Sequence, residues 1–145
     1  QYANEHVRMW GGDVSFHLPL SCCFHAAGTV SFVRGSLVNG GALPYMPPLE
    51  TKLNIVYEID GLNFSVSFRG ADAQNQVGEF ERPTAGYGVM DVQAQYLIST
   101  NRHLHSFSLT LQNAANAEYR KHLNRVRDVM PEPGRNVRLL YKIFI

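Results

Sequence analysis

The segment of residues 113–145, NAANAEYRKHLNRVRDVMPEPGRNVRLLYKIFI, decides the fold class of this chain. From Arg135 onward, its side chains alternate between an apolar face and a more polar face. The apolar face carries Val137, Leu139, Tyr141, Ile143 and Ile145, and the other face carries Asn136, Arg138, Leu140, Lys142 and Phe144. A period of two predicts a β-strand with one face against an apolar environment. The ends of soluble chains are usually polar and frayed, so an apolar strand at the very end of a chain is unusual for a soluble protein. The last strand of a membrane β-barrel has to pair with its neighbour, because lipid tolerates no open edge, and we therefore expect a strand of this kind.

Six further segments upstream alternate in the same way and predict six more strands. They cover about residues 9–18, 22–35, 50–59, 62–71, 87–99 and 103–113. Short connections at 19–21, 60–61 and 100–102 alternate with long loops near 36–48, 72–86 and 114–134. Strands of about ten residues can cross a bilayer at a tilt, and this alternation of turns and loops is typical of outer-membrane barrels. The sequence therefore predicts an all-β fold of antiparallel transmembrane strands, with the C-terminus on the periplasmic side.

The composition agrees with one β domain and disfavours several other classes of protein. The 145 residues carry a net charge of +1, and 17% of them are charged, below the roughly 25% of soluble domains. This balance gives no electrostatic reason to expect nucleic-acid binding. No apolar run approaches the roughly 18 residues of a membrane-spanning helix. Barrels have even strand numbers, and the sequence begins without Met or a signal peptide, so we expect a piece of a larger or split barrel.

Four motifs follow one another along the chain. Gly11-Gly12-Asp13 resembles a GG-E strand start, LPYMPP at 43–48 resembles an lP.iPP loop, and PTAGY at 83–87 resembles a T.gY strand opening. The fourth spans 113–123 and 133–136 and resembles the signature NLFd..Yr.HLs followed by pGRn. In this order the motifs resemble the C-terminal barrel of TonB-dependent outer-membrane receptors, which transport siderophores, haem, cobalamin, metals or sugars. Two positions depart from the family pattern: residues 113–116 read NAAN, and the last residue is Ile145 rather than an aromatic.

The resemblance implies that residues 1–145 are the C-terminal part of a barrel of about 22 strands, without the plug domain and the upstream strands. It implies uptake of a scarce nutrient, such as a ferric siderophore, haem or a metal, with energy coupled through TonB. The implied location is the bacterial outer membrane. The implied partners are the rest of the barrel and its plug, the TonB complex through the absent N-terminal part, outer-membrane lipid or lipopolysaccharide, and the barrel-assembly machinery. No cofactor is implied.

The same resemblance assigns three groups of residues to roles. A basic extracellular loop supplies candidate substrate contacts: Arg120, His122, Arg125 and Arg127. Charged side chains that would be costly in lipid are expected to face the lumen and plug: Lys52, Glu58, Arg69, Asp91 and Arg138. The end of the last strand is the expected barrel-assembly signal: Val137, Leu139, Tyr141, Ile143, Phe144 and Ile145.

Several alternatives remain open from the residues alone. The chain could be a soluble β-sandwich or small-barrel binding module, or a passive porin-like channel. The 4, 3 and 4 spacing of Tyr119, Leu123, Val126 and Met130 also suits an amphipathic helix, although we favour a loop. Adjacent Cys22 and Cys23 would diverge in an extended strand, which makes a disulfide between them geometrically poor. No GxSxG or phosphate-binding glycine loop is present, so we predict no enzyme and no catalytic residue. His103 and His105 share a strand face at a spacing that can ligate zinc, but no third ligand is near in sequence, so we predict no metal site.

Overall fold

The computed structural model describes residues 5–145, which form seven β-strands in a single sheet. The strands are β1 (Val7–Pro19), β2 (Phe24–Leu37), β3 (Glu50–Ile59), β4 (Leu62–Ala71), β5 (Tyr87–Ser99), β6 (Leu104–Gln112) and β7 (Asn136–Phe144). Each strand pairs antiparallel with the next one in sequence, so the sheet order is β1 to β7. The prediction of seven antiparallel strands is therefore confirmed. Within the described residues, no helix is present that could span a membrane.

Short and long connections alternate along the sheet, as the sequence predicts. The short ones are residues 20–23, 60–61 and 100–103, and the long ones are 38–49, 72–86 and 113–135. Asp60 and Gly61 both have positive φ values, 43° and 81°, as a tight two-residue hairpin turn requires. Because neighbouring strands are antiparallel, all three short turns lie at one end of the sheet. All three long loops lie at the other end.

The strand register collects apolar side chains on one face of the sheet. One row of directly opposed residues crosses all seven strands: Leu18, Ala26, Ile55, Val66, Val92, Leu111 and Val137. The neighbouring row on the opposite face is mostly polar: Pro19, His25, Val56, Ser65, Gln93, Thr110 and Arg138. Many apolar side chains, such as Phe68 and Leu109, are exposed to the surroundings. The sheet thus has one apolar face and one polar face, with no second layer to cover the apolar one within residues 5–145.

Aromatic side chains gather on the apolar face towards the short-turn end. They are contributed by β2 to β7: Phe24, Tyr57, Phe64, Tyr96, Phe107 and Tyr141. The ring centroids of Phe24 and Tyr57 are 4.6 Å apart, and those of Phe107 and Tyr141 are 4.9 Å apart. The Tyr141 hydroxyl also lies 2.8 Å from Nδ1 of His105. We call this row the aromatic belt.

The two adjacent glycines of β1 have very different surroundings, which yields a matched pair of variants. A Cβ at Gly11 would lie 2.6 Å from the backbone oxygen of Phe32, whereas a Cβ at Gly12 would make only ordinary contacts at 3.5 Å and beyond. We expect Gly11→Ala to push β1 away from β2 and to lower the free energy of unfolding by about 1–3 kcal/mol. Gly12→Ala should be close to neutral. Urea unfolding of both variants under the same conditions checks this, and equal midpoints would contradict it.

Candidate functional site

The three long loops meet at the buried carboxylate of Glu81. Its Oε2 accepts hydrogen bonds from the backbone N–H of Tyr45 at 3.1 Å and of Gly78 at 3.3 Å. Its Oε1 lies 3.4 Å from Nη2 of Arg127. The Glu81 side chain is only 5% exposed. One carboxylate from the second loop therefore binds the first loop through Tyr45 and the third loop through Arg127.

His122 and Arg127 complete this junction from the third loop. Arg127 donates to the carbonyl oxygen of Arg82 at 3.0 Å and to that of His122. Nδ1 of His122 lies 2.8 Å from Oγ1 of Thr84, and Nε2 lies 2.9 Å from Oε1 of Glu81, although this second approach is too oblique for a hydrogen bond. Both side chains are almost fully buried. We refer to Glu81, His122 and Arg127 as the loop junction.

The electrostatics of the loop junction favour an ionised carboxylate and a neutral imidazole. Burial opposes the charge on Glu81, but the N–H groups of Tyr45 and Gly78, with His122 and Arg127, outweigh it and lower the pKa below the ordinary 4.5. Burial and the guanidinium of Arg127 lower the pKa of His122 below 6.5, against the attraction of Glu81. At neutral pH, Arg127 is therefore the positive partner of Glu81.

The first and second loops share a further polar contact at Gln74. Its backbone pairs with that of Thr84 in both directions, at 3.0 and 3.1 Å, which closes the second loop on itself. Its buried side-chain amide donates to the carbonyl oxygen of Met46 at 3.0 Å. A buried amide that bridges two loops fixes their relative position, because breaking the contact would leave polar atoms without a partner.

Asparagines build the base of the third loop. The Asn113 side chain accepts the N–H of Ala117 and donates to the Ala117 carbonyl, both at 2.8 Å, while Asn116 accepts the N–H of Arg135 at 2.9 Å. Both asparagines have positive φ values, 49° and 54°, a conformation that asparagine tolerates better than most residues. The spacing of the NAAN motif is thus explained by local turn chemistry. Sequence reasoning identified the motif but not this role.

An open cleft lies above the loop junction at the long-loop end. Its volume is about 670 Å³, and Glu81 and Arg127 line it together with other loop residues. These are Tyr45, Phe80, Arg82, Leu123, Asn124, Arg125 and Asp128. The ring of Phe80 is completely exposed, and Arg82 and Arg125 are exposed as well. The cleft therefore offers aromatic surface and guanidinium groups to a ligand that approaches from outside.

The four residues predicted to contact a substrate have different positions. Arg125 is exposed and lines the cleft. Arg120 is half-buried, donates to the carbonyl of Arg127 and lies 3.4 Å from the carboxylate of Glu118. His122 and Arg127 are buried in the loop junction, so in this conformation they hold loops together rather than present themselves to a ligand. Sequence reasoning missed Glu81, their partner, because no motif marks it and it lies 46 residues from Arg127.

Residues 117–130 form a loop with turns, as favoured from the sequence, and the alternative of an amphipathic helix is wrong. Tyr119 does not point along a helix face; its ring packs on Tyr87 at a centroid distance of 4.7 Å. The Glu132 N–H donates to the Tyr119 carbonyl at 2.9 Å, so the loop doubles back on itself. The 4, 3 and 4 spacing of the apolar residues in this stretch therefore does not reflect a shared helix face.

The charged strand residues predicted to face a lumen share the polar face of the sheet. They are Lys52, Glu58, Arg69, Asp91 and Arg138. Two of them, Arg69 and Asp91, form an ion pair at 2.8 Å, and Asp91 also accepts the backbone N–H of Asn113 at the base of the third loop. That this face lines a lumen and meets a plug stays a prediction.

The predicted assembly signal lies on β7, which is an edge strand of the sheet. Val137, Leu139, Tyr141 and Ile143 project from its apolar face, while Phe144 and Ile145 follow at its end. All six residues are exposed. Their role in barrel assembly stays a prediction. Among residues 5–145, no three His, Cys, Asp or Glu side chains are close enough to hold a metal ion.

Comparison with known proteins shows the fold. No protein-family model matches the chain, and no curated protein matches it. Among solved structures, the chain is similar to the copper transporter OprC, with a TM-score of 0.85 and 23% sequence identity. The similarity covers 97% of this chain and 24% of that chain, so the chain spans about a quarter of the length of OprC. Residues 5–145 thus have the fold of one part of a larger transporter.

Proposed function

We propose that this chain is the C-terminal part of the β-barrel of a TonB-dependent outer-membrane transporter that imports a scarce nutrient. The observation that carries the proposal is the continuous apolar face, which crosses all seven strands and ends in an aromatic belt. An outward apolar band with aromatic girdles and a polar interior describes a transmembrane barrel. The structural similarity to part of a transporter and the four sequence motifs also support the proposal.

The competing functions fit these features less well. A soluble binding module would have to cover an apolar face as wide as seven strands, because exposed patches of that size are unusual in soluble monomers. A passive channel shares the barrel, but it gives no reason for the order of the four motifs. In the proposed transporter, the partners of this chain are the remaining strands, a plug against the polar face, and TonB through the plug-bearing part.

The long-loop end is the proposed outer surface, and the cleft above the loop junction is the proposed place of first contact with the nutrient. Arg125 and Arg82 supply guanidinium groups that form charge-assisted hydrogen bonds with anionic oxygens, and Phe80 supplies an aromatic face. This chemistry suits an anionic complex of moderate size. The loop junction keeps these side chains in place from below.

The proposal is tested with the full-length protein, by asking whether it needs detergent and whether its folded form is heat-modifiable. We expect aggregation in buffer alone, a monodisperse species in detergent, and a shift in electrophoretic mobility on boiling. A monodisperse, cooperatively folded protein without detergent would overturn the membrane barrel. Nutrient uptake that persists after removal of TonB would support the passive channel instead.

A substitution at Arg125 tests the role of the cleft. For a nutrient whose uptake depends on the protein, we expect Arg125→Ala to weaken binding about tenfold or more, since a lost charge-assisted hydrogen bond costs about 1.5–3 kcal/mol. Arg102→Ala is the matched control, because Arg102 is an exposed arginine in the short turn at the opposite end. Equal binding by both variants, at equal amounts in the membrane, would contradict the assignment.

A further inference from the structure

The short turn between β1 and β2 contains both cysteines of the chain. The strand predicted from residue 22 in fact begins at Phe24, and Cys22 and Cys23 lie in the turn before it. The Ser21 hydroxyl accepts the N–H of Phe24 at 3.2 Å and that of Cys23 at 3.4 Å, and the N–H of Leu20 donates to the Phe24 carbonyl. The backbone is therefore bent here. Adjacent side chains diverge in an extended strand, but in this turn they do not.

The two sulfur atoms are close to each other and accessible. The Sγ atoms of Cys22 and Cys23 lie 3.3 Å apart, both thiols are free, and Cys22 is exposed while Cys23 is half-buried. A disulfide bond length is about 2.05 Å, so the two sulfur atoms need to approach each other by only about 1 Å. The turn removes the divergence of the two side chains that an extended strand would impose.

We propose that Cys22 and Cys23 are a redox-active pair that closes reversibly to a vicinal disulfide. The co-reactant is a disulfide, either a small-molecule one or that of a thiol–disulfide oxidoreductase. The Cys22 thiolate attacks one sulfur of that disulfide and expels the first thiol. The Cys23 thiolate then attacks Sγ of Cys22 and expels the second thiol. Two protons leave the protein thiols, and the two electrons reduce the co-reactant to two thiols.

The order of these steps follows from the environment of the two thiols. Cys22 is the more exposed, so an external disulfide reaches it first. The hydrogen bond with Cys22 is the main cause that raises the pKa of Cys23, so less Cys23 thiolate is present before Cys22 has reacted and this hydrogen bond is lost. The second step is intramolecular and fast, because the attacking sulfur is already in contact.

The resulting disulfide belongs to the labile class. Cα atoms joined by a trans peptide are about 3.8 Å apart, whereas ordinary disulfides span about 4.4–6.8 Å, so the ring is strained and easily reduced. The Cys23 carbonyl accepts the N–H of Glu58 at 2.9 Å, which connects the turn to the end of β3. Closing the ring would stiffen this corner of the sheet. On the proposed function, the turn faces the periplasm, where disulfides form readily.

The test uses the protein folded in membranes and a series of oxidised to reduced glutathione ratios. After acid quenching and alkylation, trypsin releases residues 9–34, which contain both cysteines and no internal Lys or Arg. We expect this peptide to become lighter by two hydrogen atoms and resistant to alkylation, with half-conversion only at strongly oxidising ratios and full reversal by a reductant. Persistent glutathione adducts, or disulfide-linked dimers, would overturn the proposal.

Two controls make every outcome informative. Cys22→Ser and Cys23→Ser each leave one thiol, which should accumulate a stable glutathione adduct and show no loss of two hydrogens. The urea-unfolded chain should form adducts at the expense of the internal disulfide, because the turn no longer holds the sulfurs together. If the folded and unfolded chains formed the internal disulfide to the same extent, the turn would contribute nothing to its formation. This readout is chemical, so it does not depend on whether the transporter function holds.

Discussion

Glu81→Ala should separate the three long loops and destabilise the long-loop end by roughly 3 kcal/mol, the low end of the cost of breaking a buried ion pair. The substitution leaves the buried guanidinium of Arg127 without its carboxylate, and it removes the acceptor for the N–H groups of Tyr45 and Gly78. Hydrogen exchange should therefore rise by about two orders of magnitude in residues 38–49, 72–86 and 113–135 together. The strands should keep their protection.

Glu79→Ala is the matched control for this effect. Glu79 is an exposed carboxylate two residues away in the same loop, so its removal changes the net charge equally without touching the junction. We expect exchange rates like those of the unmodified protein. If Glu81→Ala left the first and third loops as protected as before, the loop junction would not be what holds them.

The pKa directions at the junction give a pH dependence with a definite sign. The folded state lowers the pKa of His122 and therefore favours the neutral imidazole. The stability that follows from this preference is fully present above about pH 6.5 and is lost as the pH falls. The folded state also lowers the pKa of Glu81. The contribution of the ionised Glu81 carboxylate to stability is fully present above about pH 4.5 and is lost as the pH falls further. Loop protection should thus decrease in two stages on acidification. Replacement of His122 by Gln should abolish the first stage, as measured by hydrogen exchange across this range.

On the proposed function, Leu139→Arg should lower the free energy of unfolding by about 2–4 kcal/mol, whereas Leu140→Arg should have a small effect, because charge on the lipid face of a barrel is penalised near the membrane midplane. The two leucines are adjacent on β7, and both are exposed. They differ in the face they occupy: Leu139 lies opposite Leu109 on the apolar face, and Leu140 lies opposite Ser108 on the polar face.

The measurement is urea unfolding in lipid bilayers, with the folded fraction read from heat-modifiable mobility. The comparison is between identical residue types and identical replacements, so differences in size and helix or strand propensity cancel. A soluble sheet with both faces in water would tolerate the two variants almost equally. Equal unfolding free energies would therefore argue against lipid at the apolar face.

The strands were predictable because their signal is local. β3, β4 and β5 begin and end at the residues expected from alternation and from turn signals such as Asp60-Gly61. β1 extends beyond both of its expected ends and β2 beyond its expected last residue, since pairing with a neighbour continues a strand past residues whose own pattern is weak. At Cys22 the alternation continues in the sequence although the backbone turns, because the Ser21 hydroxyl stabilises the bend.

The junction could not be predicted, because its energy comes from contacts between distant residues. The basic run that includes Arg120, Arg125 and Arg127 looks uniform in sequence, yet one guanidinium is buried against Glu81 and another faces the cleft. What separates them is the position of a carboxylate in a different loop. A pattern within one segment carries no information about that partner.

The loop junction also limits how this end of the molecule can be redesigned. A loop exchange that moved only residues 72–86 into another protein of this fold would bring Glu81 without Arg127, His122 and the Tyr45 backbone. The Glu81 carboxylate would then be buried without a partner. The three loops are therefore structurally interdependent. A redesign that keeps them folded has to transplant all three together or change only their outermost side chains, such as Phe80 and Arg125.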